Sequence, residues 1–231
     1  MLISQRHKFA FIHVPKTAGS SVAFSLWRLR DQVDDYWANR WLARAGVNYN
    51  HLAPWPLKKF RTHTSADMLR QQLPADVFAG LFKFSFVRNP WDLMVSYWHY
   101  LRRPSRRHHR RRLAERLPSF DAYVRYEIRR GKISQSRMLT DHHGRLLVDF
   151  VGHFETLEAD FARVCRVIGV EVELMQANRG EPRDYRDHYT PRLAGLVAEY
   201  FAEDVERFGY AFEDGGRQAT RPLADVLQPA A

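Results

Sequence analysis

The sequence predicts an α/β fold, a central parallel sheet flanked by helices, on three observations. Short apolar runs rich in aromatic and β-branched residues recur along the chain, each closes in a turn, and each is followed by apolar residues at helical spacing. Alternation of this kind calls for crossover connections and a sheet covered on both faces. At 231 residues, 45% hydrophobic and 27% charged, the chain is long enough to bury a sizeable core and too apolar for a disordered or fibrous protein. No repeat or Gly/Ser linker interrupts it, so the reading is one domain over residues 1–213. A loose tail follows at 214–231, marked by Gly215, Gly216 and two prolines.

The first strand is Lys8 to Val14, KFAFIHV, stopped by Pro15. After the turn PKTAGSS, Val22, Leu26 and Leu29 recur at helical spacing. A further helix is expected from Ser65 to Leu73. The second strand is Leu81 to Val87, LFKFSFV; Asn89 then serves as N-cap and Pro90 as first helical residue, and Trp91, Met94, Val95, Trp98 and Leu101 mark one helix face. Leu146 to Phe154 reads as another strand, followed by a helix carrying Leu157, Phe161, Val164 and Ile168 and closed by Gly169. Thr190 and Pro191 open one more helix, with Leu193, Leu196, Val197, Tyr200 and Val205 inward and Gly209 beyond its end.

The formal charge of +10 is local. Residues 102–112, RRPSRRHHRRR, hold seven arginines, and without them the other 220 residues carry +3. Such a run is a solvated insert or a docking surface for a polyanion, and charge alone does not name the partner. The distribution does not call for nucleic acid. No apolar run reaches the ~18 residues of a membrane helix, and the polar stretch Met1 to Lys8 is unlike a signal peptide, so a cytoplasmic protein is expected. The single cysteine, Cys165, reads as a small core residue.

Two segments carry chemistry. Pro15, Lys16, Thr17, Ala18, Gly19, Ser20 and Ser21 leave a strand and enter a helix, offering backbone N–H groups, hydroxyls and one full positive charge to an anion. The spacing is not that of a Walker loop. Phe86 to Pro90 form a second strand-to-helix junction, with the Arg88 guanidinium at its head and Ser96 two turns into the helix. Ligands of such sheets bind beyond the carboxyl ends of the strands, where both segments fall. Two anion sites on one edge imply a ligand with two separated charged groups.

FIHVPKTAGSS resembles the 5′-phosphosulfate loop, and FVRNPWDLMVSYWHY the 3′-phosphate motif, of the sulfotransferases that use 3′-phosphoadenosine 5′-phosphosulfate, PAPS. The similarity is greatest to the carbohydrate branch that includes heparan sulfate 2-O-sulfotransferase, and it extends to VGHFETLEADF and to residues 187–213. The resemblance implies a P-loop-NTPase-like fold and transfer of a sulfuryl group to a hydroxyl of a carbohydrate or glycan-like acceptor, acidic ones included, with 3′,5′-ADP as product and no metal. It implies that Pro15 to Ser21 cradle the 5′ end, that Lys16 offsets charge as the bond to sulfur breaks, and that Arg88 and Ser96 hold the 3′-phosphate. It further implies a histidine base between the two motifs. His51, in NYNHLAP, is the best match, although Asn50 stands where relatives carry glycine; His63, in RTHTS, competes.

Leu93 replaces an arginine common in relatives, and Glu155 matches a recurrent acidic residue. His142 and His143 lack a completing ligand and are not read as a metal pair. Two other readings remain open from the residues: a nucleotide-dependent kinase, which needs a metal-binding carboxylate, and a non-catalytic polyanion binder built on residues 102–112.

Overall fold

The computed structural model describes residues 1–103, 110–175 and 184–213. Residues 104–109, the centre of the basic insert, and the tail at 214–231 lie outside the described residues. The chain divides into two compact units. The described part of the first comprises 1–86, 137–152 and 157–175; that of the second comprises 87–103, 110–136, 153–156 and 184–213.

The first unit is built on a four-stranded sheet in the order β1 (Leu2–Ser4), β2 (Phe9–Ile12), β3 (Phe82–Val87), β4 (Phe150–His153). Strands β2 and β3 run parallel, with Ile12 opposite Ser85, as alternating strands and helices predict. The sheet is nevertheless mixed, because β1 pairs antiparallel with β2, Leu2 lying opposite Phe11. Only four residues join β1 to β2, enough for a hairpin and far short of a parallel crossover. Phe9, Phe11, Phe84 and Phe86 are fully buried and their rings interlock.

Helices flank the sheet. In this unit they are α1 (Gly19–Ser25), α2 (Trp37–Arg44), α3 (Ala66–Gln72), α4 (Ala75–Gly80) and, later in the chain, α9 (Leu157–Ile168). Ser65 caps α3 through Met68 N–H, as the sequence predicts. Helix α9 buries Phe161, Val164, Cys165 and Ile168; burial raises the Cys165 thiol pKa, as befits a packing residue. Strand β4 is shorter than the sequence predicts. Leu146 bridges to Thr140 instead, and Asp149 meets Lys83 through backbone and side chain before the strand begins.

The second unit is helical: α5 (Pro90–Arg102), α6 (Arg111–Arg116), α7 (Phe120–Arg130), α10 (Pro191–Tyr200) and α11 (Ala202–Phe208), with the short α8 (Ser136–Leu139) starting at its boundary. Helices α5, α7 and α10 pack on one another. Trp91 donates from its indole to Ala194 O at 3.0 Å, and Tyr189 donates its hydroxyl to Trp91 O at 2.9 Å. The single helix expected from Thr190 breaks at Phe201. The break keeps the Phe201 ring buried while the Tyr200 hydroxyl reaches Ile133 O at 2.9 Å. Among the described residues no helix is long and apolar enough to cross a membrane.

Candidate functional site

The turn between β2 and α1 is backbone-strained at two non-glycine positions, Lys16 with φ 68° and Ala18 with φ 61°. Left-handed residues in a turn form the backbone pattern of anion-binding nests, and each costs about 1 kcal/mol or more. Packing holds the turn in this state. Thr17 is fully buried and donates its hydroxyl to Val14 O at 2.9 Å, so its side chain locks the loop. Lys16 and Pro15 are half-buried, Gly19 buried and Ser20 exposed. Gly19 has no alternative, because a Cβ there would collide with the ring of His13.

His13 was not singled out by the sequence reading, yet it forms the floor of this loop. Its ring is 7% exposed, stacks on Phe11 with centroids 5.6 Å apart, and leaves Nδ1 buried without a hydrogen-bond partner. Burial first, and then the nearby His63 and the Met1 amino group, pull its pKa down to about 3. His13 is therefore neutral in the folded protein at pH values where the unfolded chain protonates it. Stability should be full above the unfolded value of ~6.5 and fall as pH drops towards the folded value, with about 2 kcal/mol lost by pH 5. In thermal unfolding, the profile of His13→Asn is expected to lack this loss; a wild-type profile no steeper than the variant's would refute the assignment.

The two candidate bases share one tautomer. His51 Nδ1 lies 2.7 Å from the Gln72 amide oxygen, so Nδ1 donates and Nε2 keeps its lone pair. Tyr49 and Phe60 hold the ring edge-on. His63 donates from Nδ1 to His13 O at 2.9 Å, which leaves its Nε2 unprotonated, and partial desolvation lowers its pKa. The difference lies in the anchor. His51 is oriented by a side chain at the end of α3, whereas His63 is bonded to the backbone and packed edge-on against the His13 ring, at 4.6 Å between centroids.

In the second unit, Arg88 is fixed at both backbone and side chain. Gln135 accepts from Arg88 N–H and donates to Arg88 O, each at 2.8 Å. The guanidinium donates to Asp92 at 2.8 Å and lies 3.9 Å above the Phe154 ring. Gln135 is itself pinned by Asp204, whose carboxylate accepts from Gln135 and Ser136 N–H at 2.9 and 2.8 Å. Asn89, fully buried, caps α5 by accepting from Trp91 and Asp92 N–H, as predicted, and donates its own N–H to Glu155 at 2.7 Å. Glu155 also accepts from the Tyr210 hydroxyl at 3.0 Å, and burial raises the Glu155 pKa. Its role is thus to hold the turn that presents Arg88. Ser96 is half-buried on α5, and Leu93 is buried.

His142 and His143 sit in a turn organised by Asp141, which accepts from His143 and Arg145 N–H. Among the described residues, no three or more His, Cys, Asp or Glu converge as for a metal ion.

The sequence pattern of the sulfotransferase family matches residues 1–211. The chain belongs to the sulfotransferase family. An uncharacterized protein of Archaeoglobus fulgidus is 30% identical to this sulfotransferase over 125 residues, which are 52% of this chain and 94% of that protein. The crystal structure of mouse sulfotransferase SULT7A1 complexed with PAP superposes with a TM-score of 0.53 over 93% of this chain and 88% of that one, at 16% identity, a likeness of fold.

The sequence reading of this sulfotransferase missed His13, Gln72, Gln135 and Asp204. His13 stood inside the motif but read as part of an apolar strand. The other three carry no local signal, because their partners lie 21 to 69 residues away.

Proposed function

We propose that this sulfotransferase moves a sulfuryl group from PAPS to a hydroxyl of a carbohydrate acceptor, in the cytoplasm, without a metal. The reading is supported foremost by the left-handed turn at Lys16 and Ala18 after β2, the backbone pattern of an anion-binding nest, and within the second unit by the Arg88 guanidinium held on Asp92. That SULT7A1 was solved with PAP, which lacks only the transferred group, agrees with it.

In the proposed reaction the acceptor oxygen attacks sulfur as His51 Nε2 takes its proton. The bond from sulfur to the bridging phosphate oxygen breaks, and the electron pair stays on that oxygen. Lys16 and the N–H groups of residues 17–21 offset the charge developing there. Arg88 and Ser96 hold the 3′-phosphate. Positioning and electrostatics suffice for such a transfer, as for phosphoryl groups.

The test of the donor is thermal shift. At 100 times its dissociation constant, 3′,5′-ADP should stabilise the protein by about 2.7 kcal/mol, with ADP and ATP at equal concentration far behind. Equal shifts from all three would remove the 3′-phosphate from the reading. For the base, His51→Ala should lower kcat by about 10²–10⁴-fold and leave 3′,5′-ADP binding intact. That result from His63→Ala alone would transfer the role to His63.

A further inference from the structure

We infer that the outer face of α2 is a docking surface for an acidic saccharide acceptor, an inference that rests on the carbohydrate reading above. Helix α2 is anchored by one buried polar residue. Asn39 donates to Val33 O and Leu57 O at 2.7 and 2.9 Å and accepts from Asn50 Nδ2 at 2.8 Å. With 3.6 residues per turn, Trp37 and Trp41 lie about 160° from Asn39 on either side, Arg44 about 140° and Arg40 about 100° away. The exposures agree. Trp37 is 73% and Trp41 65% exposed, and both arginines are exposed. The helix, WANRWLAR, carries no acidic residue.

Two large rings one turn apart, flanked by guanidinium groups, remain largely in water even though Trp37 meets the Tyr36 ring edge-on. They form a binding face. Their chemistry selects the occupant. A pyranose ring presents an apolar C–H face to an indole and a carboxylate at its edge to arginine. A lipid surface fits less well, since membrane-lying helices bind through a broad apolar face, and here Arg40 and Arg44 share the outer face with the two tryptophans on a helix only ~12 Å long. Asn39 ties α2 to Asn50, the residue before His51, so the segment that carries the proposed base anchors the helix from the side opposite the Trp–Arg face and leaves that face open.

The probe is an unsulfated chondroitin oligosaccharide, with a neutral maltooligosaccharide of equal length for comparison. In the full chain, Trp37→Ala with Trp41→Ala is expected to raise KM for the chondroitin oligosaccharide about tenfold. Neither kcat nor affinity for 3′,5′-ADP should change. Arg40→Glu with Arg44→Glu should erase the preference for the acidic over the neutral sugar. Binding read by calorimetry keeps the docking test independent of turnover and of the two tryptophans that the first variant removes. Unchanged acceptor binding in both double variants overturns the inference, as does wild-type protein that ignores the oligosaccharide or prefers phosphatidylserine vesicles to it. Failure of 3′,5′-ADP to bind selectively would instead strike the donor reading and leave the calorimetric acceptor binding to decide docking.

Discussion

Replacing Lys16 with alanine is expected to lower kcat by about 10²–10³-fold, the loss seen when one preorganised charge-stabilising group is removed from a transition state. The fold should survive, because Lys16 is half-buried and the loop is held by the Thr17 hydroxyl on Val14 and by the fit of Gly19 against His13. A companion variant separates chemistry from backbone. Lys16 sits at φ 68°, where a side chain costs roughly 1 kcal/mol that glycine does not. Lys16→Gly should therefore be equally inactive yet more stable than Lys16→Ala by about 1 kcal/mol in denaturant unfolding. Near-normal turnover in either variant would take the lysine out of the mechanism.

Replacing Arg88 with alanine is expected to weaken 3′,5′-ADP by about 30-fold or more, by removing a charge-assisted contact to a phosphate, and to abolish the preference over ADP. Calorimetry measures both. The geometry around Arg88 sharpens the expectation. Its guanidinium is already aligned by Asp92 and by the Phe154 face, so little orientation is paid for on binding, and lysine, which cannot reproduce the fork, should not restore affinity. Gln135→Ala leaves the guanidinium in place but unpairs the Arg88 backbone. It should weaken 3′,5′-ADP by a smaller factor, about tenfold, through loss of two hydrogen bonds. Unchanged affinity in Arg88→Ala would contradict the phosphate assignment whatever Gln135 does.

These expectations turn on different kinds of information. Lys16 and Arg88 were legible as candidates because each stands beside its own local punctuation, Pro15 after a strand and Asn89 with Pro90 before a helix, whereas His51 entered as a candidate only through the family resemblance. What holds them was not legible. Gln72 on His51, Gln135 on Arg88 and Asp204 on Gln135 join positions with no common periodicity, and His13 is hidden because a strand-end histidine looks like a packing residue until Gly19 lies against it.

The sequence by itself determined the parallel pairing of β2 and β3 and the Asn89 cap of the helix after β3, and it singled out the two cationic loops as candidates. Those follow from short-range rules: apolar runs, caps, and residues barred from continuing a strand. Only the tertiary structure decided that β1 turns the sheet mixed, that the helix after Thr190 breaks at Phe201, and that α2 leaves two tryptophans in water. Each of these depends on which distant surfaces remain to be buried, a quantity that exists only once the chain has packed.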